Sequence, residues 1–263
     1  MADPFHPKHS AGWADDKPQA RFIAAFVLAF SASVWATAYF CRSMCCAMSM
    51  PGGWTMSMMW MRMPGQTWVV SATGFLLGWL AMMVAMMLPS ALPAFLRTRR
   101  APVALLVVAT GYFAVWLAAG LGIYAAGVAF AAAAMEWESF SRAVPGLSAA
   151  ALVAAGALQF TRWKLVGLLH CRSPFGCNCV DPEREENFLL GCRQGAACCL
   201  CCIAPMMVLL VLGMMNPLVI VGVAAVIAAE KILPRPEITV RLVGVAVIFA
   251  GVATFIHAFI HNH

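Results

Sequence analysis

The stretch at 103–135, VALLVVATGYFAVWLAAGLGIYAAGVAFAAAAM, contains no Asp, Glu, Lys or Arg. About 20 apolar residues at ~1.5 Å rise each suffice to cross the hydrocarbon core of a bilayer, and this run exceeds that length. Working outward from it, six further apolar runs are read at Phe22–Phe40, Val69–Leu96, roughly Leu147–Leu169, about Leu189–Met214, Leu218–Leu233 and Ile238–Ile260. Pro and charge clusters separate them, as at Arg97–Pro102, Glu136–Pro145, His170–Glu186 and Pro234–Glu237. The expected fold is an all-α polytopic transmembrane bundle of about seven spans, six being the alternative count.

Composition agrees. The 263 residues are 63% hydrophobic and only 11% charged, less than half the charge of an ordinary soluble domain. A large soluble catalytic domain is excluded. Residues 1–20 form a polar tail without the basic-then-apolar order of a cleavable signal. Residues 21–263 are expected to form one membrane domain, with a Met/Cys-rich external loop at 42–68 and an inner Cys-containing loop at 170–188. With the N-terminus cytoplasmic, fourteen Lys and Arg lie on inner segments, and only Arg42, Arg62 and Arg142 on outer ones. That bias follows the positive-inside rule and implies a multi-pass protein of a bacterial inner membrane, C-terminus outside. The net charge of +6 is explained by this distribution and needs no nucleic acid. Arg162 and Lys164 interrupt the fourth run and must snorkel or face protein. Gly74-x-x-x-Gly78 and Gly191-x-x-x-Gly195 offer surfaces for close helix approach, a pattern common by chance in Ala/Gly-rich spans.

Several chemistries are missing. There is no phosphate-binding loop. Glu230 is the one carboxylate inside a predicted span, too few for a di-iron bundle or for ordinary proton-coupled transport. Sulfur remains, with 11 Cys and 18 Met. His170-Cys171 faces the Cys198-Cys199-Leu-Cys201-Cys202 run across one inner loop, with Cys177, Cys179 and Cys192 between them. Cys198 shares a helix face with Cys201 and Cys202, as Cys199 does with Cys202, and Met206 lies one turn on. Thiolate, thioether and imidazole together favour Cu(I), with Zn(II) or an iron–sulfur centre as rivals. Burial of Cys as a small hydrophobe is the alternative.

Outside, Cys41, Cys45 and Cys46 precede Met56, Met58, Met61 and Met63. Alternating Met here is read as a loop rather than a buried strand. Thioethers suit Cu(I) capture in an oxidising compartment. His257 and His261 share a helix face on that side, with His263 beyond them. An amphipathic loop with Trp54, Trp60 and Trp68 at the interface is the competing account, and a disulfide is the alternative for Cys41, Cys45 and Cys46. Met82, Met83, Met86 and Met87 make two adjacent helical ridges, echoed by Met206, Met207, Met214 and Met215. They are either plastic packing material or an intramembrane ladder of neutral ligands.

From Met44 to Phe255 the chain resembles the bacterial family labelled predicted metal-binding integral membrane proteins (domain of unknown function 2182). The resemblance rests on MPGGWTMSM at 50–58, MPGQTW at 63–68, MMVAMMLPS at 82–90, Gly111-Tyr112 with Trp116, and Gln159 to Lys164. It continues through His170 to Pro174, Cys198 to Cys202, Met215-Asn216 and Glu230-Lys231. It implies a metal-binding inner-membrane protein and no particular reaction. His170, Cys171, Cys198, Cys201 and Cys202 match that family's ligand positions. The chain departs from the pattern at Gly167, at Gln194 and at Ile203 with Pro205.

The expected function is copper handling: Cu(I) capture, transfer or delivery within or across the membrane. Copper leads as the metal, with zinc or another soft ion behind it. Besides the lipid bilayer, a periplasmic metallochaperone or a membrane metalloenzyme complex fits as partner. A metal-containing subunit of a redox or oxygenase complex and a structural accessory subunit are the alternatives. Scarce His and Glu in the spans argue against autonomous catalysis.

Overall fold

The computed structural model describes residues 17–43, 47–63, 65–97, 102–172 and 184–261. Cys45, Cys46, Cys177, Cys179, His263 and most of the polar tail lie outside them. Eight helices occur among the described residues: α1 Lys17–Ser43, α2 Trp68–Arg97, α3 Pro102–Glu136, α4 Glu138–Leu158, α5 Arg162–Arg172, α6 Arg184–Leu212, α7 Pro217–Ile232 and α8 Pro236–His261. Six of them, α1 to α4 with α6 and α8, are long and apolar enough to cross a membrane. The protein is an all-α multi-pass membrane bundle. Apolar side chains such as Leu28, Trp35, Val69, Leu106, Leu218 and Phe249 are more than half exposed, as on lipid-facing surfaces.

Two sequence expectations are corrected. The fourth run is not one helix over 147–169. α4 already begins at Glu138, where Glu138 and Arg142 pair at 2.6 Å across one turn. It ends at Leu158 in tight turns, with Phe160 N donating to the Ala157 carbonyl and Thr161 N to that of Leu158. The Thr161 hydroxyl then accepts from Lys164 N at 3.3 Å and starts α5 as a separate element. The sixth run, Leu218–Leu233, forms α7, which at 16 residues is below a full span, although it runs between the two ends of the bundle.

The second correction concerns the alternating Met segment, part of which forms strands, whereas Met58, Met61 and Met63 lie beyond them. β1 Ala47–Met50 pairs antiparallel with β2 Trp54–Ser57, Met48 opposite Met56. Gly52 and Gly53 make the connection at φ 98° and 75°, backbone that side chains with a Cβ rarely adopt. The hairpin docks on α4: Trp54 Nε1 donates to the Ser141 carbonyl at 3.0 Å, and the Ser141 hydroxyl donates to the Pro51 carbonyl at 2.9 Å. That docking buries Met50 and Met56 against Ala131 and Ala134.

Small residues set the closest helix contact. A Cβ on Gly191 would collide with the Val108 carbonyl of α3, and one on Gly195 would lie 2.8 Å from the Tyr112 carbonyl. Both glycines of the α6 pair therefore face α3, bringing Tyr112 beside the Cys run. In the α2 pair, Gly78 meets the Phe40 ring of α1 while Gly74 meets nothing. One apolar cluster, continuous from Cys41 and Met59 through the α2 methionines to Cys171 and Cys198, fills the centre.

Candidate metal centre

α6 carries the core of the site. A helix turns ~100° per residue, so Cys198, Cys201 and Cys202 fall on one face while Cys199 points aside. The first three are 1–2% exposed and Cys199 is only half-buried. Cys198 Sγ lies 3.9 Å from Cys202 Sγ, and Cys201 Sγ lies 3.7 Å from the same atom. α5 supplies one more thiol. Gly167 faces Cys201 and lets α5 approach, so that Cys171 Sγ reaches Cys201 Sγ at 3.2 Å. The sulfurs of Cys171, Cys198 and Cys201 all lie within 4.8 Å of one another. Among the described residues, every cysteine is a free thiol.

Backbone chemistry explains how the two helices are held. Pro205 has no N–H, so the Cys201 carbonyl four residues earlier loses its helical donor. Lys164 of α5 takes that place, donating from Nζ to the Cys201 carbonyl at 2.5 Å. The same ammonium pairs with Glu230 of α7 at 2.7 Å, both side chains being 3% exposed. Gln159 Nε2 donates to the other Glu230 oxygen at 2.9 Å. Lys164 thus faces protein rather than snorkelling, while Arg162 is exposed. Arg172 donates to the carbonyls of Glu230 and Leu233 at 3.4 and 2.7 Å, closing the last turn of α7 against α5.

Cys198 has the richest surroundings. Tyr112 Oη donates to its sulfur at 2.9 Å, and Lys231 Nζ donates at 3.0 Å. Met87 Sδ lies 3.9 Å from the same sulfur. Lys231 also reaches Ser90 Oγ at 3.4 Å, and among the described residues no carboxylate pairs with it. Its charge therefore faces sulfur. Three thiols with one neighbouring thioether form a soft donor set, in character suited to Cu(I).

The other sequence candidates fall as follows. His170 is exposed at the end of α5, because adjacent helical residues point ~100° apart and Cys171 takes the inward direction. Met206 is buried one turn beyond Cys202. Met82, Met83, Met86 and Met87 are all nearly inaccessible, at 0–3%. Met56 is buried in the hairpin, Met58 and Met61 are half-buried, and Met63 is 48% exposed. Cys41 is buried. The side chains of His257 and His261 lie outside the described set.

Tyr112, Ser90 and Lys231 were not among the candidates. A tyrosine and a lysine inside apolar runs were the available signals, since polar groups at membrane depth must have partners.

Neither the curated proteins nor the solved structures contain a match to the chain. A model of the PpoB2 family, described as copper chaperones, matches residues 76–254. That range spans most of α2 through most of α8, with Met87, Cys171, Cys198, Cys201 and Lys231 inside it. Given a match over more than half its length, the chain belongs to the PpoB2 family of copper chaperones.

Proposed function

We propose that this membrane protein carries Cu(I) as cargo, held by Cys171, Cys198 and Cys201 with Met87 beside them, for delivery to a copper enzyme. The observation that carries the proposal is the convergence of thiols from two helices within 4.8 Å in a buried, soft-donor pocket of a copper chaperone family member. Cys202, 3.7 Å from Cys201, is a fourth sulfur available to the ion. Zn(II) is the less fitting guest. A set of four thiolates also suits Zn(II), but the Met87 thioether beside Cys198 is a soft, neutral group that suits Cu(I) better.

Lys231 reduces the net negative charge of a thiolate-bound monovalent ion, which lowers the cost of keeping that ion in an apolar interior. The buried methionines of α2 supply neutral sulfur between the hairpin end and the Cys centre. The Lys and Arg distribution supports an inner-membrane orientation, with the Cys centre toward the cytoplasm and the hairpin outside. Delivery then requires a copper-accepting protein on one face, a periplasmic metallochaperone or a membrane metalloenzyme being the chemically suitable classes.

The test is Cu(I) titration of the purified full chain in detergent, anaerobically, against a chromogenic Cu(I) chelator. The wild type is expected to compete for copper and the Cys171→Ala/Cys198→Ala/Cys201→Ala variant to lose that centre's equivalent. Equal copper binding by both proteins would remove the proposed centre.

A further inference from the structure

A second group of sulfurs converges at the hairpin end. A small cavity of about 10 Å³, room for roughly one water-sized guest, lies between α1, α2, the 3₁₀ turn Met58–Trp60 and the turn joining α6 to α7. Cys41, Met59, Met82, Met214 and Met215 line it. Five of its eleven lining residues thus carry sulfur, against 29 of 263 in the chain (11 Cys and 18 Met). They come from four separate elements, so helical periodicity within one segment does not account for them. Cys41, Met59, Met82 and Met214 are 3–8% exposed.

The cavity has a way in. A larger open pocket of about 1040 Å³ is bordered by the hairpin, with Trp54, Met56 and Ser57, and by Met214 and Met215. Those two methionines line both spaces, so their side chains stand between the vestibule and the sulfur-lined cavity. Local chemistry fixes them there. Gly213, at φ 104°, ends α6, and the Asn216 side chain caps α7 by accepting from Leu218 N at 3.0 Å. The inner side of the cavity leads toward the Cys centre. Met82 and Met87 sit about 7.5 Å apart along α2, with Met83 and Met86 at 0% and 2% exposure between them.

We propose that Cys41, Met59, Met82, Met214 and Met215 form a separate Cu(I) loading site, filled from the vestibule before the ion moves to the Cys centre. The inference rests on Cu(I) being the cargo, as proposed above. Binding is ligand exchange without electron transfer: copper stays monovalent, a ligand of the incoming copper complex is released, and the Cys41 thiol proton leaves to solvent if the thiol ligates. Thioethers suit this position because they remain neutral and unprotonated, so the site can pass on its ion without accumulating charge.

Cu(I) stoichiometry of the full chain in detergent, measured against a chromogenic chelator, tests the proposal. Wild type is expected to bind two equivalents. Cys41→Ala/Met59→Leu/Met82→Leu/Met214→Leu is expected to bind one, and Cys171→Ala/Cys198→Ala/Cys201→Ala also one. Unchanged stoichiometry in the hairpin-end variant would overturn the loading site and leave the Cys centre standing. Unchanged stoichiometry in the thiol variant would strike the Cys centre instead. Met→Leu exchanges nearly conserve volume, but a measurement free of hairpin-end mutation guards against misfolding. In selenomethionine-substituted Cys171→Ala/Cys198→Ala/Cys201→Ala protein loaded with one Cu(I), copper-edge X-ray absorption should show Cu–Se contacts. A copper shell without selenium would overturn the loading site.

Discussion

The ammonium of Lys231 donates to the sulfur of Cys198 over 3.0 Å, one helix contributing the cation and another the thiol. A hydrogen bond to a charged group contributes about 1.5–3 kcal/mol. Lys231→Met should therefore weaken Cu(I) binding at this centre by about tenfold or more, and Lys231→Arg should retain most of it. Chelator competition measures both. Equal affinity in Lys231→Met and wild type would show that the ammonium does not balance the charge of the bound state.

Cys199 and His170 give a sharper check on which groups touch the ion. Cys199 points away from the thiol group and His170 is exposed. Cys199→Ala and His170→Ala should leave copper content within about twofold of wild type, whereas Cys198→Ala should lose at least tenfold in affinity. Elemental analysis with a competition assay separates these outcomes, and a collapse in His170→Ala would place the imidazole on the metal.

Breaking the buried Lys164–Glu230 pair from one side leaves an uncompensated charge, at a cost of about 3–5 kcal/mol. Glu230→Gln should lower the thermal unfolding midpoint in detergent markedly. The double variant Lys164→Met/Glu230→Leu should recover part of the loss, since no lone charge remains, although the Cys201 carbonyl then lacks its Lys164 donor. A double variant worse than either single change would contradict this account.

Glycine substitutions should divide by what lies opposite them. Gly191→Ala drives a methyl into the Val108 carbonyl and should cut folded yield. Gly122 meets nothing within 4 Å, so Gly122→Ala should be neutral or stabilising by up to about 1 kcal/mol. Size-exclusion profiles and unfolding midpoints of the two variants make the comparison.

In the hairpin, a Cβ on Gly52 would sit 3.0 Å from the Arg142 Cα, while Gly53 is open. Gly52→Ala should therefore loosen the hairpin and speed protease cleavage in that loop. Gly53→Asn should be tolerated, because asparagine adopts positive φ more readily than other side chains. Limited proteolysis of the detergent-solubilised protein reads the difference.

Much of this architecture was visible in the chain itself. Charge-free runs such as 103–135 have one stable outcome in lipid, a helix with its backbone groups satisfied internally. The Cys198, Cys201 and Cys202 spacing likewise put three thiols on one face before any contact was known. The hairpin is not legible in the sequence, because four-residue strands carry little periodic signal and their burial depends on Ser141, far along the chain. The start of α4 is hard to read because Glu138, Arg142 and Pro145 resemble a loop; Pro145 lies inside the helix, and the Ser141 carbonyl it leaves without a helical donor accepts from Trp54 Nε1 instead. Nothing local announces that Lys231, Tyr112 and Met87 meet at one sulfur. Packing of α2, α3, α6 and α7 makes that junction, and the Gly191 and Gly195 pair was its faint advance notice.

α5 spans only 11 residues, too short to persist as a helix in isolation. Cys198 and Cys201 stand on a long, continuous mast, but Cys171 is mounted on a bracket fastened by Lys164 at one end and Arg172 at the other. Both fasteners bite on the final turn of α7. The position of the third thiol is consequently set from outside its own helix. A disturbance at Glu230 or Leu233 shifts the grip on the ion without touching a single sulfur.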